Sequence, residues 1–225
     1  GEEERVLRAV QIVIDEGLAK PTLIGRPAVL AQRIEKYGLR LRPDLDFEVI
    51  NPEHDERYRS YWEAYLAMTI RKGITQQYAK LEMRRRHTLI GAMALHKGDA
   101  DGMICGTYGT TDLHLGYIDQ VLGMRAGVTT YAAMNALILQ DRQLVVVDTH
   151  VNENPSAEQL AEITIMAADE MRRFGLHPRA ALLSHSNFGS SNSESAQKMR
   201  AALALIRARA PELEVDGEMH GDTAL

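Results

Sequence analysis

The sequence predicts an α/β fold in which a largely parallel sheet is covered by helices, and three features carry that expectation. Short apolar runs of strand length alternate with longer stretches of three-and-four-residue apolar spacing. Start and stop signals bracket the longer stretches, the clearest being Ser156 with Gln159 and the later Gly175. Glycine-, serine- and threonine-rich loops follow the short runs, as expected where strands hand over to helices.

The elements follow in order. Gly1-Glu2-Glu3-Glu4-Arg5 enters a helix almost at once, with no strand before it. Thr22-Leu23-Ile24-Gly25 reads as a short strand, and Pro27 suits the first turn of the next helix, because a helix start does not need the missing N–H. Asp46 to Ile50 is a second strand, stopped by Asn51-Pro52. Thr75 caps one long helix carrying Ala79, Met83, Ile90, Met93 and Ala94 and ending near Gly98. Asp101 to Gly106 is too short for a helix and reads as a strand leading into a loop. Gln143 to Val151 is the strongest strand, since Val145, Val146 and Val147 are β-branched. Ser156 opens a helix with Leu160, Ile163, Ala167, Met171 and Phe174 on one stripe. Ala180 to Ser184 is a strand, Ser193 starts a helix with Met199, Leu203 and Ile206 that ends before Pro211, and Glu214 to Met219 is a final strand. Asp222-Thr223-Ala224-Leu225 looks like a helix beginning with Asp222 as cap. Both ends read as cut, so a fragment of a longer chain is expected.

Composition narrows the function. The chain has 225 residues, 45% hydrophobic, 25% charged and 5% aromatic, which is an ordinary globular composition. Acids exceed bases by 31 to 26, for a net charge of −5, which argues against nucleic-acid binding by bulk charge. Runs such as Leu144-Val145-Val146-Val147 are far shorter than the roughly 20 residues a membrane span needs. With no secretion signal, the expectation is a cytoplasmic protein with a small-molecule ligand and neither nucleic acid nor membrane as partner. The single cysteine, Cys105, excludes a disulfide framework and reads as a small buried hydrophobe.

Ligands of open α/β sheets bind beyond the carboxyl ends of strands. Two loops there are rich in glycine and hydroxyls: Gly106-Thr107-Tyr108-Gly109-Thr110-Thr111, and Ser184 to Ser193 directly before a helix. Glycines permit close backbone approach, and hydroxyls and helix N-termini donate to oxyanions, so these loops suit phosphate or pyrophosphate. Equally, small polar residues can simply cap helices and turn the chain. Neither loop has the Gly-x-Gly-x-x-Gly or Gly-Lys-Ser/Thr spacing of the common nucleotide folds, nor a Gly-x-Ser-x-Gly nucleophile elbow. Asp148 and His150 share one side of their strand, with Glu153 close behind; this fits metal ligands or a polar strand end, and His220 with Asp222 is equally open. No metal site is assigned. Arg84-Arg85-Arg86 reads as a solvated helix face with one inward member, and Arg71-Lys72-Gly73 as a helix end where cations favour the dipole.

Several segments in register carry a resemblance: Gly1-Glu2-Glu3-Glu4-Arg5-Val6-Leu7, Arg71-Lys72-Gly73, Ala100 to Gly106, Asn154-Pro155-Ser156-Ala157-Glu158-Gln159-Leu160-Ala161, Leu183-Ser184-His185-Ser186 and Val215-Asp216-Gly217-Glu218-Met219. The series, which runs from end to end, resembles the phosphate acetyl/butyryltransferase family. It is most similar to the branch that forms the carboxy-terminal region of large bacterial NADP-dependent malic enzymes, through Ser184 to Ser190, Asp148 to Pro155 and Arg85 to Ala92. The family implies two three-layer α/β subdomains of the isocitrate/isopropylmalate-dehydrogenase type with a cleft between them, and an assembly of at least a dimer. On that template residues 1–118 form the first subdomain, lacking its amino-terminal strand and carboxy-terminal return, and residues 119–225 the second.

The resemblance also implies ligands and roles. Arg71, Lys72, Gly106, Thr107, Thr110, Thr111, Ser184, Ser186, Asn187, Gly189 and Ser190 match positions for acetyl-CoA, CoA or phosphate, and Arg5, Asp216 and Glu218 match positions near the cleft. Departures matter. Asn187 stands where transacetylases usually have threonine, Thr110 to Gly116 lacks the expected arginine, and the family's serine–arginine–aspartate catalytic segment lies beyond Glu218 and outside this chain. The catalytic residues are therefore unassigned. The resemblance implies an acetyl-CoA-binding regulatory and oligomerisation module, joined to malate-oxidising domains that would hold NADP and a divalent metal. The alternative is an active phosphate acyltransferase that interconverts acetyl-CoA plus phosphate with acetyl phosphate plus CoA. A shared dehydrogenase-like fold does not make the module itself a hydride-transfer enzyme.

Overall fold

A computed structural model describes residues 1–225. The chain separates into two compact units, Gly1–Gly123 and Met124–Leu225. No helix is long and apolar enough to cross a membrane.

The first unit opens with α1 (Glu4–Asp15), β1 (Thr22–Ile24), α2 (Pro27–Lys36) and β2 (Glu48–Ile50). Strands β1 and β2 pair in parallel, Leu23 opposite Val49, as a strand–helix–strand unit requires. Leu7 and Val10 of α1, Leu23 of β1, and Leu30 and Ile34 of α2 close a core with Leu41 and Phe47. Then follow α3 (Tyr58–Thr69), a 3-10 turn (Ile70–Lys72), α4 (Gln76–Arg85), α5 (His87–Lys97) and α6 (Thr111–Val121). A second core joins Tyr61, Trp62 and Tyr65 of α3 to Met83, Leu89, Ile90 and Met93 and to Tyr117 and Val121.

Three expectations fail in this unit. The single long helix after Thr75 is two helices, broken at Arg86 (φ −108, ψ 95). The apolar pattern changes character there: α4 buries one stripe, whereas α5 is buried continuously from Thr88 to Ala94 and must run through the core. Side chains hold the break, since the buried Glu82 carboxylate accepts hydrogen bonds from Arg86 Nε (3.2 Å) and from the Tyr117 hydroxyl. The Asp101–Gly106 run is irregular rather than a strand, because no other strand lies beside it to complete a ladder. Ile104 and Cys105 are exposed, so the cysteine is not a core residue. Only Met103 is anchored, packing on Gly91 of α5 so closely that a Cβ there would lie 2.4 Å from its sulfur.

The second unit begins with an antiparallel hairpin, β3 (Met134–Ile138) and β4 (Gln143–Val147), closed by the Leu139 N–H bonding to Arg142 O (2.9 Å). Strand β3 was not expected: Met134-Asn135-Ala136-Leu137-Ile138 has neither clean alternation nor β-branched enrichment. Strand β4 was expected to reach Val151 but stops at Val147, where the Asp148 carboxylate turns the chain. The remaining elements are α7 (Ala157–Arg173), β5 (Arg179–Leu183), α8 (Glu194–Arg209), β6 (Glu214–Met219) and α9 (Gly221–Ala224). Ser156 and Gln159 make the expected reciprocal capping box on α7. Helix α9 starts two residues earlier than expected, with His220 rather than Asp222 in the cap position. Small residues Ala161, Ala168 and Ala202 let α7 and α8 close on Leu182, Leu203, Ile206 and Val215.

Candidate ligand site

Strands β5 and β6 are parallel, so their carboxyl ends lie side by side. The Ser184–Ser193 loop leaves one end and Glu218 to His220 occupies the other. The ladder continues into the loop through Ser184 N–H to Met219 O (2.9 Å) and Phe188 N–H to Glu218 O (2.8 Å).

Glu218 gets its place from a bulge. Leu182 pairs with Gly217 but Leu183 pairs with Met219, so Glu218 is the extra residue. Strict alternation would put Asp216 and Glu218 on one face; the bulge re-aims the second inward. Gly217 makes this possible, with φ +142 and space so tight that a Cβ would sit 2.8 Å from Leu182 O. Asp216 is left exposed, paired with Arg207 (3.2 Å), while Glu218 is 0% exposed.

The loop is folded around one carboxylate oxygen. Glu218 Oε1 accepts from the Ser186 hydroxyl, the Gly189 N–H and Arg200 Nη1 of α8, each at 2.8 Å. Its Oε2 is buried and accepts no hydrogen bond from the protein. Burial pushes the carboxyl upward, but hydrogen bonds from the Gly189 N–H, its own N–H, Ser186 and Arg200 outweigh it and hold the group at about 2. Glu218 is thus an anion at neutral pH and too weak a proton acceptor to act as a general base.

Around this centre the donors of the loop face inward. Having donated to Glu218, the Ser186 hydroxyl accepts from the Ser191 N–H (3.0 Å) and the Ser190 hydroxyl (3.1 Å), which fills it. Ser190 Oγ accepts from the Asn187 N–H (3.0 Å), the Ser186 N–H reaches Ser184 Oγ (3.3 Å), and the Ser190 N–H reaches Asn187 O (3.0 Å). Every peptide N–H from Ser186 to Ser191 is therefore used within the protein, and the anion at the centre is the chain's own. Phe188 is held at φ +46, a conformation costly for its side chain, by two N–H bonds onto Glu218, from itself and from Gly189.

A second clamp joins the loop to the end of β6. Asn187 Oδ1 accepts from the His220 N–H (2.7 Å), and Asn187 Nδ2 lies 3.2 Å from His220 Nδ1. His220 Nε2 stands 2.8 Å from His185 O, a pure acceptor, so Nε2 carries the proton and Nδ1 accepts from Asn187. Facing outward are His185, Phe188, Gly189, Ser190 and Asn192, with Ser184 and Asn187 half-buried.

Other candidates lie elsewhere. In the first unit Gly106, Thr107 and Thr110 share one exposed loop, and Thr111, also exposed, is the first residue of α6. Thr110 caps α6 by accepting from the Leu113 N–H (3.3 Å), and His114 staples the loop, its Nε2 on Tyr108 O (2.9 Å) and its Nδ1 on the Thr88 hydroxyl (2.7 Å). Arg71 and Lys72 stand exposed in the 3-10 turn, and Arg5 is exposed and paired with Glu3 (2.8 Å). The Asp148 carboxylate is committed to the backbone: it accepts from the N–H groups of Ala133, His150, Val151 and Asn152 and from the Asn152 amide, which overcome burial and hold it at about 2. Arg200 and His114 were not singled out from the sequence. No cap or spacing signal marks Arg200 in the sequence, because its partner reaches it only through the bulge in β6.

Against known proteins, the family model described as phosphate acetyl/butaryl transferase matches residues 1–225. The whole chain is 54% identical to an NAD-dependent malic enzyme of Rhizobium meliloti and 54% identical to an NADP-dependent malic enzyme of Salmonella typhimurium, spanning 29% and 30% of their lengths. It is 36% identical to a phosphate acetyltransferase of Nitratidesulfovibrio vulgaris, spanning 31% of it. The EutD phosphotransacetylase structure from Staphylococcus aureus superimposes with a TM-score of 0.87 at 26% identity, covering 100% of this chain and 68% of that one. The architecture, the loop at the paired strand ends and a family match spanning every residue agree: this chain belongs to the phosphate acetyl/butaryl transferase family.

Proposed function

We propose that the chain is the phosphotransacetylase-like module of an NADP-dependent malic enzyme and binds acetyl-CoA as a regulatory and oligomerising part of that enzyme. The oxidative decarboxylation of malate to pyruvate, with its NADP and divalent metal, then belongs to other domains of the same cytoplasmic chain, which assembles at least as a dimer. The observation that carries the reading is the closed set of donors in the Ser184–Ser193 loop. Acyl transfer to phosphate needs uncommitted donors aimed at the developing charge. Here the N–H groups of Ser186–Ser191 are already bonded, which suits a site that holds a ligand without transforming it. Ligand contact falls to Ser184, Asn187, Gly189 and Ser190 on this loop, with Ser186 supporting from inside. In the first unit it falls to Arg71, Lys72, Gly106, Thr107, Thr110 and Thr111, where cations and hydroxyls suit the phosphates of CoA. A ligand that binds two states of the enzyme unequally shifts their populations and so controls malate oxidation.

The 36% identity to a phosphate acetyltransferase over 226 residues favours a second reading, an active acyltransferase. The full-length protein decides. Acetyl-CoA binding by calorimetry, a changed malate oxidation rate and no acetyl-CoA formation from acetyl phosphate and CoA are expected. Acetyl-CoA formation at an ordinary enzymatic rate, about 1 s⁻¹ or more, establishes the second reading instead. A protein that neither binds acetyl-CoA nor forms it removes both.

A further inference from the structure

We infer that Arg200 and Glu218 form a positioning pair: neither touches the ligand, and together they hold the Ser184–Ser193 loop in the one shape that keeps Ser190 at its surface with Ser184 and Asn187 half-buried beside it. The inference deepens the acetyl-CoA reading above and rests on it for the identity of the ligand.

Three observations converge. First, the carboxylate is fully buried, and all its bonds within the protein fall on Oε1, which ties β6 to the middle of the loop through Ser186 and Gly189. Second, Arg200 Nη1 donates both to Glu218 Oε1 (2.8 Å) and to Ser191 O (3.1 Å), so one nitrogen pins the loop's far end to the same point. Third, the Arg200 side chain is 33% exposed and the Glu218 side chain 0%, so the guanidinium is the largely buried countercharge of a buried anion. Removing Arg200 leaves a buried anion without its countercharge and releases the Ser191 carbonyl, so the loop opens and Ser184, Asn187 and Ser190 lose their common geometry. The contact runs through a single nitrogen that meets two acceptors, so a lysine ammonium, with three donors, can replace it.

The test uses the full-length protein with Arg200→Ala, Arg200→Lys and, as a control, Arg172→Ala, whose guanidinium pairs with Asp169 and Glu212 on the helix surface. Hydrogen exchange of the 184–193 segment and acetyl-CoA affinity are read together. In Arg200→Ala, exchange of the segment is expected to accelerate, and affinity to fall, by about tenfold each, the value of a hydrogen bond to a charged group. Exchange in α7 and the β3–β4 hairpin stays unchanged. Arg200→Lys restores most of both, and Arg172→Ala changes neither. Unchanged loop exchange in Arg200→Ala overturns the proposal whatever the ligand does. Faster exchange with unaltered affinity overturns the positioning role and leaves a structural contact. A wild-type protein that binds no acetyl-CoA refutes the functional reading, while loop exchange still decides whether the pair holds the loop.

Discussion

Glu218 couples the candidate site to acidity through the stability of the fold. Its carboxyl sits at about 2 in the folded chain against an ordinary 4.5, so between those values the unfolded chain binds more protons. The stability it contributes is complete above the unfolded value and drains away as pH falls through the folded one. Asp148, held at about 2 against 3.8, acts in the same sense over a slightly narrower window. Denaturant midpoints are therefore expected to fall between about pH 4.5 and pH 2, and Glu218→Gln is expected to flatten that slope in part, leaving the Asp148 share. An unchanged slope means that the buried carboxylate is not held in its ionised form. At this scale the sequence was partly legible. Glu218 and the loop serines were identifiable from their segments, but Arg200 was not, because its partner is brought to it by a bulge that no spacing rule announces. Ser186 was identifiable as a loop serine, yet its inward orientation depends on that same carboxylate.

Elements were read well where local chemistry decides them. The capping box of α7 and the proline at the start of α2 each carry their own start signal and form as expected, and the valine run of β4 forms a strand although it stops at Val147 rather than Val151. Elements decided by distant packing were missed. The break at Arg86 depends on Glu82 and Tyr117, which lie on α4 and α6, and the Asp101–Gly106 segment stays irregular because no strand comes alongside. Met103 is that segment's one anchor, and Gly91 is the surface it needs. Gly91→Ala improves intrinsic helix propensity by about 1 kcal/mol but displaces the Met103 thioether, a misfit of about 1–3 kcal/mol. The expected outcome is a net loss of about 0–2 kcal/mol in chemical denaturation together with faster hydrogen exchange across residues 101–106. Slower exchange there shows that the segment is held by something other than Met103.

For the whole molecule, strand–helix alternation was enough for the α/β class, and the parallel β1–β2 and β5–β6 pairs follow from it. The antiparallel β3–β4 hairpin does not, since its first strand has a composition that helix and strand share equally. Each unit closes its own apolar core, so stability reports on ligand at this scale. A ligand that binds only the native chain stabilises it by about 2.7 kcal/mol at a hundredfold excess over Kd. Acetyl-CoA is expected to raise the thermal midpoint of the full-length protein accordingly, with a smaller rise at the same concentration for Ser190→Ala. A midpoint that acetyl-CoA leaves unmoved at saturating concentration contradicts native-state binding.

The hairpin has a colloidal consequence. Strand β3 pairs on one edge only, and Ile138 at its tip is 81% exposed beside the half-exposed Leu137 and Leu139. A free strand edge with uncharged, proline-free apolar sequence is a template for further strands, and Met134 to Leu139 has that character. Asp141 and Arg142 follow it after Gln140 as charged gatekeepers, but they guard the turn rather than the edge. Wherever this edge stands uncovered, during synthesis or after partial unfolding, it offers a template for self-association that is independent of the ligand site.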